Sequence, residues 1–308
     1  MITPLSQPWP WSSNPEPSPA DWGIGMTVCI AVYSRPLDAF VCATDSMIST
    51  GDMSADGMAM KFAAIWGKFI AMFSGNDITS ISPIINEVRA AMPSVASAET
   101  AQALAEAFKI AFMNQRKKRA EAMLIPPGMT LTEFYENGLV RLGPEIFSRI
   151  FNEIERLKLD VQFLVCGFEG AEPMIFTISD PGVETHYDLL GFWAIGSGNN
   201  NALGSLFNLH GTAIRYHSPE TALYRTLEAK FFAESASGVG KETTCFQLKS
   251  NGRRGFIKNI VELRNIWEAS NSRPIPEGAA EVGSKILKES KRKLIRRSRR
   301  IKTKTEGS

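Results

Sequence analysis

The sequence predicts an α+β chain of two stacked sheets with helices on both outer faces, and three observations carry that expectation. Short runs rich in β-branched and apolar residues come in pairs parted by turn residues, first at Met26–Tyr33 and Asp38–Ser46 around Ser34-Arg35-Pro36-Leu37. Longer runs with a helical period follow, with Ile78, Ile81, Ile85, Val88 and Met92 on one face. Strand-like and helix-like patterns then repeat in that order, which a layered sandwich permits without being the only solution.

After the first hairpin, residues 49–56 are rich in Gly, Ser and Asp and read as a loop. Phe62–Trp66 and Phe69–Ser74, hinged at Gly67-Lys68, form a second hairpin pattern. A helix over 77–92 tolerates Pro83 near its first turn. Ser97-Ala98-Glu99-Thr100 caps a long helix that runs through Met113 towards Met123. Pro126-Pro127-Gly128 breaks it, Thr130-Leu131-Thr132-Glu133 reads as a cap, and Pro144–Leu157 is amphipathic, so about 125–160 is expected to be a helical insertion. Strands resume at Val161–Phe168 and Met174–Ser179 around Glu169-Gly170-Ala171-Glu172, then at His186–Leu190 and Phe192–Ile195. Helices over Asn199–Leu209 and Pro219–Ala236 and a strand over Thr243–Leu248 complete the pattern.

A chain of 308 residues with 44% hydrophobic composition can bury a sizeable core. Its net charge of +2 hides an asymmetry, because Lys285–Ser308 holds eleven Lys/Arg against two Glu, leaving +9 on the tail and −7 on the rest. The body gives no electrostatic reason to bind nucleic acid. The tail, taken as 271–308, attracts phosphate regardless of sequence but has no aromatic residues for base stacking, and a solvated helix is the plainer reading. Residues 1–25 hold six prolines and lack the basic and apolar blocks of a secretory signal, so they read as a disordered extension, a pro-peptide, or sequence upstream of a true start at Met26. No apolar run approaches the roughly eighteen residues that cross a bilayer. Cys29, Cys42, Cys166 and Cys245 lie in apolar runs without a C-x-x-C pair and read as reduced core thiols of a cytoplasmic protein. The three histidines show no metal-ligand spacing, and no cofactor is expected.

The chemistry gathers at strand ends. Thr27 opens the first strand, Asp45 closes the second, and Lys61 stands at the start of a later apolar run, so a hydroxyl, a carboxylate and an amine all occupy termini. By residue type alone Thr27 is an ordinary β-former, Lys61 a solvated strand end and Gly75 a strand-ending turn. Ser197 can cap the helix that starts at Asn199, and Glu234 can face solvent at a helix end.

The stretch Ala71-Met72-Phe73-Ser74-Gly75-Asn76-Asp77, the turn Gly196-Ser197-Gly198 and the late Glu234-Ser235-Ala236-Ser237-Gly238 follow in order. Together with Thr27, Asp45 and Lys61, these motifs resemble the proteasome β subunit and the peptidase component of the bacterial heat-shock ATP-dependent protease, both N-terminal-nucleophile hydrolases. The resemblance covers roughly residues 26–250, with Glu234 standing where the family has Asp. It implies a four-layer αββα sandwich and a threonine-type peptidase or amidase acting on a peptide or protein. It also implies a ring of identical subunits and an ATPase partner. In that reading Thr27 is the nucleophile, Asp45 orients Lys61, Gly75 N–H receives the oxyanion, the Ser197 hydroxyl is a hydrogen-bond partner of the terminal amine, and Glu234 and Ser237 belong to the site through the late motif.

In the family the nucleophile begins the mature chain, so residues 1–26 must be removed or absent. The Thr27-to-Asp45 separation exceeds the usual one by two residues, which a longer turn at Ser34–Asp38 accommodates. Counting from Tyr33 instead places Met26 at that position, where a thioether has no proton to give up. Two other functions fit the same sequence: a non-catalytic proteasome-like scaffold in which Thr27 remains peptide-linked, and a small-molecule acylase on the same fold.

Overall fold

The computed structural model describes residues 27–50, 53–57, 60–76, 78–95, 100–210, 216–270 and 278–289. The proline-rich extension, Met26, Ser97-Ala98-Glu99 and most of the basic tail lie outside the described residues.

The chain folds as α+β, with two five-stranded antiparallel sheets flanked by helices. The first sheet contains β1 (Cys29–Ser34), β2 (Ala39–Asp45), β10 (Phe192–Ile195), β11 (Thr243–Lys249) and β12 (Arg254–Ile257), in the order β10-β1-β2-β11-β12. The second runs β5 (Phe62–Trp66), β6 (Phe69–Gly75), β7 (Val161–Glu169), β8 (Glu172–Ser179) and β9 (Val183–His186) in chain order.

Alternation along the strands sets the packing, because successive side chains leave opposite faces of a sheet. Cys29, Ala31, Tyr33, Phe40 and Cys42 of the first sheet meet Ile70, Met72, Leu164, Cys166 and Phe168 of the second in one buried cluster. The intervening residues Val28, Ile30 and Val32 point the other way, onto Ala202 and Leu206 of α4 (Asn199–His210) and Ala229 and Ala233 of α5 (Pro219–Ala233). The outer face of the second sheet packs Phe163, Val165, Phe176 and Ile178 against α1 (Ile78–Val95) and α2 (Ala101–Met123). Phe163 meets Phe108 and Phe112 of α2 at 5.0 and 6.0 Å between ring centres. Such pairs contribute about 0.5–1.5 kcal/mol each beyond area burial.

Both long central helices begin where their polar residues allow. Thr100 accepts from Ala103 N at the start of α2, and Thr130 and Glu133 form a reciprocal capping box at the start of α3 (Leu131–Glu155). α3 is interrupted at Gly143, whose φ of 76° is non-helical, and Pro144 opens its second half at a position that needs no N–H donor. The 125–160 region therefore consists of two helical pieces. They close a separate cluster of Phe134, Ile150 and Ile154 on Ala120 and Leu124 at the end of α2.

The structure corrects several local expectations. Residues 49–56 are not a plain loop but include a short hairpin, β3 (Ile48–Thr50) with β4 (Met53–Ala55). The strand expected at His186–Leu190 lies earlier, as β9, and 188–190 form a turn. α5 ends at Ala233, and β12 and α6 (Val261–Ser270) had no counterpart in the sequence pattern. A final helix spans 279–289, with Ala279, Ile286 and Leu287 buried beside Leu223 and Leu263. Among the described residues no helix is long and apolar enough to cross a membrane.

Candidate active site

Antiparallel pairing brings three strand ends to one place. In the β1–β2 register Cys29 faces Thr44, and in the β1–β10 register it faces Ile195. Thr27, two residues before Cys29, consequently sits between Asp45 at the end of β2 and the Gly196-Ser197 turn after β10. Lys61 arrives from the other sheet, immediately before β5, where Phe73 N donates to its carbonyl at 3.1 Å.

Thr27, Asp45 and Lys61 are all buried. Lys61 Nζ lies 2.5 Å from Thr27 Oγ1 and donates to Asp45 Oδ1 and Oδ2 at 3.1 and 3.0 Å. The Thr27 hydroxyl also touches Asp45 Oδ1. Asp45 is held by backbone as well: Val28 N donates to Oδ1 at 2.9 Å, while Met47 N and Gly240 N donate to Oδ2 at 3.2 and 3.3 Å. A buried carboxylate beside a buried ammonium, each with its hydrogen bonds met, is the condition under which such a pair persists.

Ser197 fixes the backbone of Thr27. Thr27 N donates to Ser197 Oγ at 3.2 Å, and the Thr27 carbonyl accepts from Gly198 N at 3.2 Å. Ser197 Oγ lies 3.3 Å from the Thr27 carbonyl oxygen and 3.1 Å from that of Ser237, and its single proton serves one at a time. Ser237 thus enters through its carbonyl.

Gly75 closes β6 opposite Val161 with φ 151°, and a Cβ there would lie 2.2 Å from Asp160 O, so the position excludes any side chain. Gly75 and Gly196 line the same cavity of about 650 Å³, whose lining also includes Asp160 and Arg116, the latter paired with Asp180 at 3.1 Å. Glu234 bonds to other partners: its carboxylate takes Lys230 Nζ at 2.5 Å and Arg264 at 2.7 Å on each oxygen.

Sequence reasoning missed Lys230, Gly240 and Arg264. Lys230 and Glu234 are four apart on a helix, a spacing that ordinarily marks a solvated pair, yet Lys230 is fully buried. Among the described residues no group of three or more His, Cys, Asp or Glu is arranged to hold a metal ion. No protein-family model matches the chain, and comparison with curated proteins returned no match.

Proposed function

We propose that the chain is a threonine-type N-terminal-nucleophile hydrolase of the proteasome-like group, cleaving amide bonds once Thr27 is the first residue. The observation that carries this reading is the buried cluster in which Lys61 Nζ stands 2.5 Å from Thr27 Oγ1 while paired with Asp45. Helices outside both sheets agree with the four-layer αββα sandwich of that group.

In the full chain the Thr27 nitrogen is an amide. Removal of the preceding residues would leave an α-amine there, with an ordinary pKa of about 8, able to take the hydroxyl proton near neutrality. Oγ1 attacks the amide carbonyl, and Lys61 stabilises the negative charge growing on Oγ1. The oxyanion is received at Gly75 N–H, a type of donor worth about 3 kcal/mol in the transition state. The C–N bond then breaks as the amine returns its proton to the leaving nitrogen, leaving an ester on Thr27. Water, deprotonated by the same amine, hydrolyses that ester. No metal or organic group enters the sequence of steps. A peptide or protein substrate, a homo-oligomeric ring and an ATPase partner belong to the same proposal.

N-terminal sequencing of the protein from its native host, paired with hydrolysis of short fluorogenic peptide amides, tests it. Thr27 at the N-terminus of active material supports the proposal. Active protein that retains residue 26 would overturn it, and a purely structural role is indicated by an intact chain without activity.

A further inference from the structure

Asp45 is the hinge of the cluster, and its outer oxygen is met by Gly240 N. The segment carrying Gly240 has little regular structure, because it joins the end of α5 to β11. Something else must therefore hold it. On its carbonyl side Gly240 accepts from Lys230 Nζ at 2.8 Å, and the same nitrogen donates to Glu234 Oε1 at 2.5 Å. Arg264, reaching from α6, grips both oxygens of Glu234 at 2.7 Å, donates to Lys241 O at 2.9 Å and lies 4.3 Å over the Phe231 ring. Asp56 hems the segment from the other side. It accepts from Glu242 N at 3.0 Å, and a Cβ on Gly240 would come within 2.5 Å of its carboxylate.

We propose that Lys230, Glu234 and Arg264 are positioning residues that lock the Gly240 segment and so hold Asp45, and through it Lys61, in line with Thr27. The inference rests on the threonine-hydrolase reading. A buried ammonium left unpaired is costly, so Lys230 keeps its two acceptors and the segment stays where its carbonyl meets them. Burial disfavours the charged form of Lys230, whereas the nearby Glu234 and Asp45 carboxylates favour it. Glu234, at the C-cap of α5, bridges a lysine of that helix and an arginine of α6.

The test is acylation of Thr27 by a β-lactone, followed by intact mass and peptide mapping on protein expressed as the full chain. Oγ1 forms an ester with the lactone carbonyl, the ring C–O bond breaks, and the proton ends on the released hydroxyl. Varying the lactone separates the maximal rate from the half-saturation concentration. Lys230→Met and Arg264→Met are expected to lower the maximal rate about tenfold or more. Their half-saturation should stay within about twofold, and Arg264→Lys should recover to within about threefold of wild type. Arg264 is partly exposed, so its variants report even if Lys230→Met fails to fold. Wild-type maximal rates in both Met variants would overturn the proposal, as would a loss that Arg264→Lys does not restore. A wild type that begins at Thr27 and stays unlabelled there would instead overturn the hydrolase reading and remove the basis of this one.

Discussion

A Cβ on Gly196 would lie 2.3 Å from the carbonyl oxygen of Thr27 and 2.8 Å from its Cγ2. The turn after β10 presses against the candidate nucleophile closely enough to leave room for glycine alone, and its φ of 94° disfavours any side chain independently. Gly196→Ala should cost about 2 kcal/mol or more in stability and displace Thr27. Urea unfolding and peptide-amide hydrolysis measure the two effects, and an alanine variant with wild-type values in both would contradict the assigned contact.

Thr27→Ala should abolish hydrolysis while costing about 1 kcal/mol of stability, because Asp45 and Lys61 still satisfy each other. Turnover retained in a preparation free of contaminating proteases rules out the threonine mechanism.

Lys61→Met should lose activity nearly as completely, and it should also destabilise the protein by about 3 kcal/mol by stranding the buried Asp45 carboxylate. Groups that act as a unit give non-additive losses, so the double variant with Thr27→Ala should be scarcely less active than either single one. Equilibrium unfolding and kcat/KM on the three variants check both halves.

Burial pushes the Cys245 thiol up to about 12. A raised native pKa means the unfolded chain gives up its proton first, so the associated stability is complete below the ordinary thiol range and is lost as pH rises towards 12. Between pH 8 and 10 one such thiol accounts for a loss of about 2 kcal/mol. Urea unfolding at those two pH values should therefore fall less steeply in Cys245→Ala than in wild type, and equal falls would show the thiol to be accessible.

Thr130→Ala should remove the capping box of α3 at a cost of about 1 kcal/mol and leave hydrolysis unchanged, since α3 closes its own cluster on the end of α2. Thermal melting with a parallel rate measurement distinguishes this from an α3 coupled to the site.

The first hairpin, its neighbour and the two helices after it were legible because each carries one clear period. Thr27, Asp45 and Lys61 were legible as polar residues at the ends of apolar runs, but their meeting depends on β1 lying between β2 and β10 and on the stacking of two sheets, which no local pattern encodes. The β3–β4 hairpin was hidden by Gly- and Ser-rich composition. α5 hid most, since Arg225, Glu228 and Lys230 look like a solvated stripe although all three are buried. Arg225 pairs with Glu228 inside the helix and Lys230 with Glu234 and the Gly240 carbonyl just beyond its end, so spacing alone suggests a surface.

Peptide mapping of the acyl adduct formed by a β-lactone on protein whose N-terminus has been sequenced tests the central claim most directly. One adduct on Thr27, confined to chains that begin at Thr27 and missing from Thr27→Ala, is the predicted result. Labelling at another residue, or equal labelling of chains that still carry residues 1–26, would contradict it.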